Sequence, residues 1–411
     1  MDSIIFIGTN KSGSSREGIK AAKRMGYETI LFTDNQKVQA KRWEYPDIDL
    51  IVFVPSMFNY DKVRQEIDML QSRDRIIKAI ISFIEPYVYY AASLSAEICH
   101  SNLSLEAIRT MEDKSSTRIK LKDHSFSPYF TVISSFKEIE LLSPHRLPLV
   151  IKSPHSTGSK DVLLARTFDE LQLNVHFLLS KYPAKEIILE EFLDGPQYLA
   201  EVIVQDGNIS IVGIVEQTIS EFERFIVTGY SYNPMQIELC NGIDEAVHSI
   251  VRGLDLKNGS CHIEMRLVNN QWKLIEVNPR VSGGAMNRMI EVATGINIAE
   301  ETIKLYVGEA VTLNKQFDKC VFTQQITVGS KGALIKVTGR SRAEAIPGVQ
   351  EVYIKPKKGM MLRPPESMGD RYGYVIAADT SIHQAKETAL RAAKEITFYL
   401  EPSALDKLFE S

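Results

Sequence analysis

Strand-like and helix-like stretches alternate through the first hundred residues, and this alternation constrains the fold more than any other feature. Residues 3–8 (SIIFIG) form a buried-strand run ending in a loop rich in Gly, Ser and Asn. Residues 15–25 (SREGIKAAKRM) follow as a helix with a serine cap, closed by Gly26. Residues 28–32, 50–54 and 79–84 read as further strands, with a helix at 61–70. Strands separated by helices predict a parallel sheet with helices on both faces.

Size and composition narrow the classes. The chain has 411 residues, which at about 150 per domain suggests two or three domains. Lys and Arg number 48 against 52 Asp and Glu, a net charge of −4. That balance offers no general attraction to nucleic acid or anionic membranes. No apolar run reaches the roughly 18 residues of a membrane span. Residues 1–8 show no basic leader or cleavage site, so no signal peptide is expected. Cys99, Cys240, Cys261 and Cys320 lack metal or redox spacing, which points to a reduced, cytoplasmic chain without a disulfide or zinc framework.

The texture changes after residue 110. Residues 147–152 (LPLVIK) read as a strand entering a polar loop. Residues 186–192 and 199–205 are strands around a Gly-Pro turn, and 209–216 continues a meander. Helices are expected at 244–254, 285–293, 297–307 and 382–398, and short Gly- and Pro-rich strands fill the last hundred residues. No internal repeat is present.

The strongest constellation is 259–280, GSCHIEMRLVNNQWKLIEVNPR. It reads as an antiparallel hairpin around Asn269-Asn270. With an odd loop centred on Asn270, Glu264 lies opposite Glu276 and His262 opposite Asn278, while Met265 meets Ile275. A two-residue loop would instead put Glu276 on the apolar face, so the period-2 rule selects the odd loop. The polar face then carries His262, Glu264, Arg266, Glu276 and Asn278. Two adjacent carboxylates repel unless a cation or proton lies between them. Oxygen ligands without Cys suit Mg²⁺ or Mn²⁺. Arg280 follows and suits phosphate or carboxylate oxygens. The plainer alternative is a solvated sheet face with incidental acids.

Other features are weaker. Gly8, Gly13 and Gly18 are spaced five and five, unlike a dinucleotide fingerprint, so the N-terminal domain serves or supports another site. Lys152 enters the loop 153–160 (SPHSTGSK), whose small residues let backbone N–H groups face a phosphate, with Lys160 adding charge. Residues 188–193 (ILEEFL) form a strand whose edge offers alternating donors and acceptors. Cys99-His100 and Cys261-His262 are i,i+1 pairs and unsuited to zinc. His155 reads equally as a solvated loop residue or a phosphate contact. Tyr87, Tyr89 and Tyr90 read as packing, and 355–358 as a solvated turn.

The order of these pieces is specific: Lys114, then Lys152 with its Gly/Ser loop, then Glu-Glu-Phe-Leu-Asp-Gly, then Gly-x-x-His-x-Glu…Glu-Val-Asn-Pro-Arg and Ser-Gly-Gly. It resembles the ATP-grasp superfamily, in particular its carboxylate–amine ligases of the L-amino acid ligase type. The resemblance implies an α/β fold with an α+β ATP-grasp core. A Rossmann-like parallel-sheet domain would span 1–109. A two-lobed ATP-grasp domain would span 110–310, with lobes at 110–185 and 186–310. A small C-terminal lid domain would span 311–411. It implies that Lys114, Lys152, Ser153, Gly158, Ser159 and Lys160 contact ATP phosphates. Glu190, the backbone of Glu191, Phe192 and Leu193, and Gln197 would hold the nucleoside. Glu264, Glu276 and Asn278 would bind two Mg²⁺, which Mn²⁺ can replace. Arg280, Glu276 and Arg266 would carry the chemistry, Arg280 holding the transferring phosphate.

Three stretches depart from the family pattern. Gln197 stands where relatives place a ribose-binding Glu. Asp161 replaces a loop glycine and adds negative charge. Residues 224–229 diverge where many relatives carry His, which bears on substrate choice. The implied reaction joins a small-molecule carboxylate and an amine, such as two amino acids, through an acyl phosphate with release of ADP and phosphate. Neither nucleic acid nor membrane is an expected partner; relatives are often homodimers. Alternatives are a ligase loading an amino acid onto a carrier protein or larger intermediate, a bicarbonate-activating relative (no Ala-Met-Lys-Met biotin segment is present), and a non-catalytic nucleotide-binding module.

Overall fold

A computed structural model describes residues 1–141, 144–153, 158–183, 185–220, 225–235 and 242–402. The predicted parallel sheet forms from β1 (Asp2–Ile7), β2 (Glu28–Thr33), β3 (Leu50–Phe53) and β4 (Ile76–Ile81), in the order β3-β2-β1-β4. Its strands are apolar on both faces because both are covered. Ile4, Phe6, Leu31 and Ile81 face the main core, while Ile5, Ile7, Ile30 and Phe32 pack in a second cluster beneath Ile67 and Leu94.

The first helix, Ser14–Arg24, lacks its predicted serine cap. Gly13 is the N-cap, at φ 80°, and makes no side-chain bond there. The Ser14 hydroxyl instead donates to the Ser282 carbonyl, and the Ser15 hydroxyl accepts from the Asn10 N–H. A Cβ on Gly13 would lie 2.9 Å from the Gly284 nitrogen, so only glycine permits this approach. The N-terminal loop therefore buttresses the 282–284 segment.

A second sheet, in the order β5-β8-β6-β7, joins β5 (Phe130–Ile133), β6 (Leu149–Lys152), β7 (Val162–Ala165) and β8 (Ile187–Glu191). The helix Phe168–Lys181 packs on it behind a capping box of Thr167 and Glu170. That helix escaped the sequence reading, as did Val88–Cys99, Leu105–Glu112 and Lys114–Leu121.

The largest sheet holds β9 (Gln197–Gln205), β10 (Asn208–Ile219), β11 (Val227–Tyr232), β12 (Gly259–Val268), β13 (Gln271–Asn278), β14 (Cys320–Ile326), β16 (Val349–Ile354) and β18 (Gly373–Asp379), in the order β13-β12-β9-β10-β11-β14-β18-β16. A small sheet of β15 (Gly332–Thr338), β17 (Met361–Leu362) and β19 (Thr397–Pro402) lies beside it. Strands after residue 311 thus continue the sheet that carries the carboxylate hairpin. Among the described residues no helix is long and apolar enough to cross a membrane.

The hairpin corrects the loop prediction while keeping the predicted carboxylate register. His262 pairs Asn278, Ile263 pairs Val277 and Glu264 pairs Glu276, as expected. Beyond them the register slips by one, so that Met265 meets Leu274 rather than Ile275, and Val268 meets Gln271. The loop is the two residues Asn269 and Asn270, both at positive φ (48° and 60°), as a tight hairpin turn requires. A bulge absorbs the extra residue. Trp272 and Leu274 stay buried in one phase and Val277 in the other.

Candidate active site

The hairpin, β6, β8 and the start of the helix Lys114–Leu121 converge on a cavity of about 290 Å³. Its walls include Lys114, Lys152, Glu264, Glu276, Asn278 and Arg280. Gly158, Ser159, Glu190, Glu191, Phe192, Leu193, Gln197 and Arg266 line it as well. Two predicted phosphate contacts do not. Ser153 is buried, and Lys160 is exposed between Ser159 and Asp161, both at positive φ. Residues 154–157, with His155, lie outside the described residues, as do Arg224 and Cys240.

Each end of the helix Lys114–Leu121 serves the site. Asp113 caps it through the Ser116 N–H at 2.6 Å, which places Lys114 at the first turn. Lys114 Nζ reaches Glu276 Oε1 at 3.1 Å. One turn on, buried Arg118 donates to Glu190 Oε1 at 2.6 Å and to the carbonyls of Leu274 and Ile275 at 3.1 and 2.6 Å. The bulge is what presents those two consecutive carbonyls to one guanidinium. Lys152 closes the set at 2.7 Å from Glu190 Oε2. Both oxygens of Glu190 are thus held by cations.

Burial and charge divide the two facing carboxylates. Burial, then the charge of Glu276, pushes Glu264 up to about 7. Burial would also raise Glu276, but Lys114 and Lys152 outweigh it and bring that carboxyl down to about 2. Glu264 accepts from Gln197 Nε2 at 3.2 Å. His262 is neutral, since burial and the charge of Arg280 lower it to about 3. Its Nδ1 donates to the Arg280 carbonyl at 2.8 Å, and its Nε2 accepts from Asn278 Nδ2 at 3.1 Å. The amide nitrogen of Asn278 is thereby committed, and its oxygen is the atom it can offer a cation.

Arg280 Nη2 donates to Glu85 Oε1 at 2.8 Å, while its buried Nε has no partner among the described residues. A buried guanidinium N–H without a protein partner is a donor suited to an anion. At the other end, Arg266 donates to Gln197 Oε1 at 3.0 Å and to the Leu193 carbonyl. It lies 5.7 Å from the Phe192 ring centroid and 6.0 Å from that of Phe225. The Gln197 amide also donates to Gln217 at 2.6 Å. Asp161 does not face the cavity: Lys181, at 2.7 Å, and the Tyr182 hydroxyl hold it.

The residues present fit a magnesium nucleotide. Glu264 and Glu276 with the Asn278 oxygen are hard donors, without thiolates. No group of three or more His, Cys, Asp or Glu suited to a metal forms among the described residues. Glu85, Arg118, Gln217 and Arg371 escaped the sequence reading. Glu85 had a signal, since it follows the carboxyl end of β4, where open parallel sheets place ligands. Arg118 had another, four residues from Lys114 on one helix face. Gln217 and Arg371 had none.

Glu201, in the middle of β9, is buried and accepts from the Ser282 N–H at 3.0 Å and from the Ser282 hydroxyl. Burial raises it from 4.5 to about 7. An acid raised on folding stabilises below its unfolded value and loses that stabilisation as pH rises through its folded value. For Glu201 this amounts to on the order of 3 kcal/mol, lost between pH 4.5 and about 7. We therefore expect Glu201→Gln to unfold at a higher temperature than wild type at pH 8 and to show a flatter pH dependence in thermal melts. An unchanged pH profile would show that Glu201 is ionised throughout.

Comparison with known proteins agrees with this geometry. Residues 145–288 match the ATP-grasp domain family, and 324–401 match L-amino acid ligase C-terminal domain 2. An uncharacterized protein of Sinorhizobium fredii, y4rH, is 29% identical over 261 residues, covering 62% of this chain and 54% of that one. The carbamoyl phosphate synthase large chain of Methanothrix thermoacetophila is 26% identical over 189 residues, covering 44% of this chain and 17% of that one. The chain thus spans about half the length of the first relative and far less of the second. The crystal structure of the L-amino acid ligase from Bacillus licheniformis superposes with a TM-score of 0.82 at 20% identity, covering 98% of this chain and 99% of that one. With its fold and its site in one order, the chain carries an ATP-grasp domain, matched at residues 145–288, followed by a match to L-amino acid ligase C-terminal domain 2 at 324–401.

Proposed function

We propose that the protein is an ATP-dependent carboxylate–amine ligase that makes an amide through an acyl phosphate. The observation that carries this reading is the single cavity joining the Glu264–Glu276 pair to Lys114, Lys152 and Arg280. A carboxylate is a poor acyl donor because its leaving group is oxide. Attack of its oxygen on the γ-phosphorus of ATP breaks the bond to the bridging oxygen and releases ADP. Attack of the amine on the resulting acyl phosphate forms the C–N bond and expels phosphate, which takes up the proton the amine loses. Bound Mg²⁺ at Glu264, Glu276 and Asn278 would neutralise phosphate charge.

Lys114, Lys152 and Arg280 supply fixed positive charge where charge crowds in the transition state. His262 holds Asn278 and the Arg280 backbone in place. Arg266 acts as a positioning residue, since it bonds Gln197 and the Leu193 carbonyl. Phe192, Phe225 and the edge of β8 form the nucleoside end. Residues 1–109 contribute Glu85, 110–310 the nucleotide site and 311–411 a lid against water. Amino acids as both substrates are supported by the match of residues 324–401 to the L-amino acid ligase C-terminal domain 2.

The test supplies Mg-ATP with the twenty amino acids singly and in pairs, follows phosphate release and identifies products by mass. Phosphate release that needs two amino acids, with ADP and a new dipeptide mass, is the expected result. AMP with pyrophosphate, or ATP hydrolysis indifferent to any carboxylate, would overturn the mechanism. Turnover only with a carrier-bound partner would keep the mechanism and replace the substrates.

A further inference from the structure

Most cations around the cavity pair with carboxylates among the described residues. Lys114 faces Glu276, Lys152 and Arg118 face Glu190, and Arg280 faces Glu85. Arg266 lies in the fields of Asp194 and Glu264. Arg371, just before β18, meets only neutral oxygens among the described residues. Its Nε donates to the Met368 carbonyl at 3.2 Å, and its Nη1 to the Tyr230 hydroxyl at 2.9 Å and the Val227 carbonyl at 3.4 Å. The Tyr230 ring lies 5.8 Å away. Nη2 makes no bond to a described residue and points toward Gly284, where an added Cβ would stand 3.9 Å from it.

The guanidinium is therefore braced on two of its nitrogens, with the third turned to the cavity wall that follows Arg280. A braced fork with a spare donor is suited to an oxyanion, whether a carboxylate or a phosphate. The phosphate side of the cavity is already furnished with Lys114, Lys152 and the unpaired Nε of Arg280. An amino acid that attacks through its amino group brings a second carboxylate, which does not react and must be held once water is excluded. We propose that Arg371 binds this carboxylate and so selects α-amino acids as the amine substrate. The proposal rests on the ligase reading above. Phosphate oxygens of ATP are the competing source of an oxyanion, because the Met368 N–H beside Arg371 donates to the Gly158 carbonyl of the glycine loop at 3.1 Å.

Binding can be read without turnover. Wild type, Arg371→Met and Arg371→Lys, each with ADP and MgCl2, are melted with each of the twenty amino acids and with the carboxamide of any that raises the midpoint. At least one amino acid is expected to stabilise wild type while its carboxamide does not. Arg371→Met should bind that amino acid about 10- to 100-fold more weakly, Arg371→Lys should fall between, and ADP affinity should match wild type in both. Weaker ADP binding with every amino-acid shift intact would assign Arg371 to phosphate and overturn the proposal. So would a carboxamide that binds as well as its acid, or a wild type that no amino acid stabilises. If Arg371→Met does not fold, Arg371→Lys and the acid–carboxamide comparison decide. An amino acid that binds through Arg371 without phosphate release in any pairing would count against the ligase reading alone.

Discussion

Glu276→Gln is expected to abolish phosphate release, lowering kcat by at least about 10³-fold. The amide keeps the shape of the side chain and removes the charge that faces Lys114 at 3.1 Å and that a magnesium nucleotide would use. The substitution also leaves a mostly buried ammonium beside a neutral group, at a cost of about 1–3 kcal/mol. Stability and chemistry are separated by the double change Lys114→Met with Glu276→Gln. It should recover part of the lost stability in thermal melts and none of the turnover. Phosphate release at a wild-type rate from Glu276→Gln would remove this carboxylate from the reaction.

Arg280→Met should be nearly as severe, with kcat down about 10²- to 10³-fold and a smaller change in the KM for ATP. The unpaired Nε and the fork shared with Glu85 make this guanidinium the group best placed to meet an anion that forms during the reaction. Lysine restores the charge without the fork, so Arg280→Lys should remain at least about 10-fold slow. Trapping with hydroxylamine reports the activated acyl group directly. Wild type should yield a hydroxamate from its carboxylate substrate, and Arg280→Met should yield little. Equal hydroxamate from both would place Arg280 after the activation step or outside it.

Much of the carboxylate hairpin is legible in the sequence. Alternation put His262, Glu264, Glu276 and Asn278 on a common face, and the tertiary structure keeps each of those pairs. The route to that register was not legible. The odd loop inferred from period 2 is a two-residue turn with a bulge, because Leu274 and Ile275 are consecutive apolar residues and one must leave the buried phase. The bulge then turns the Leu274 and Ile275 carbonyls toward Arg118, a contact between residues more than 150 positions apart. Local pattern carries no information about such a partner.

Lys160 and Asp161 show the same limit from the other side. Their place in a Gly/Ser loop suggested a phosphate contact and an intrusive charge. In the structure Lys160 is exposed outside the cavity, and Asp161 is held by Lys181 and Tyr182. The serine cap failed for a related reason. A cap hydroxyl is equally a donor, and Ser14 found the Ser282 carbonyl 268 residues away.

By itself, the sequence determined the parallel N-terminal sheet, the antiparallel carboxylate pair and the order of the cationic pieces. These follow from periodicity and spacing, which act between near neighbours. Tertiary structure alone decided which cation faces which carboxylate, that Glu85 reaches Arg280 from the first domain, and that Arg371 enters the same cavity with only neutral partners among the described residues. Ion pairing in a buried site depends on distance and desolvation between residues far apart in the chain, and no local pattern encodes either.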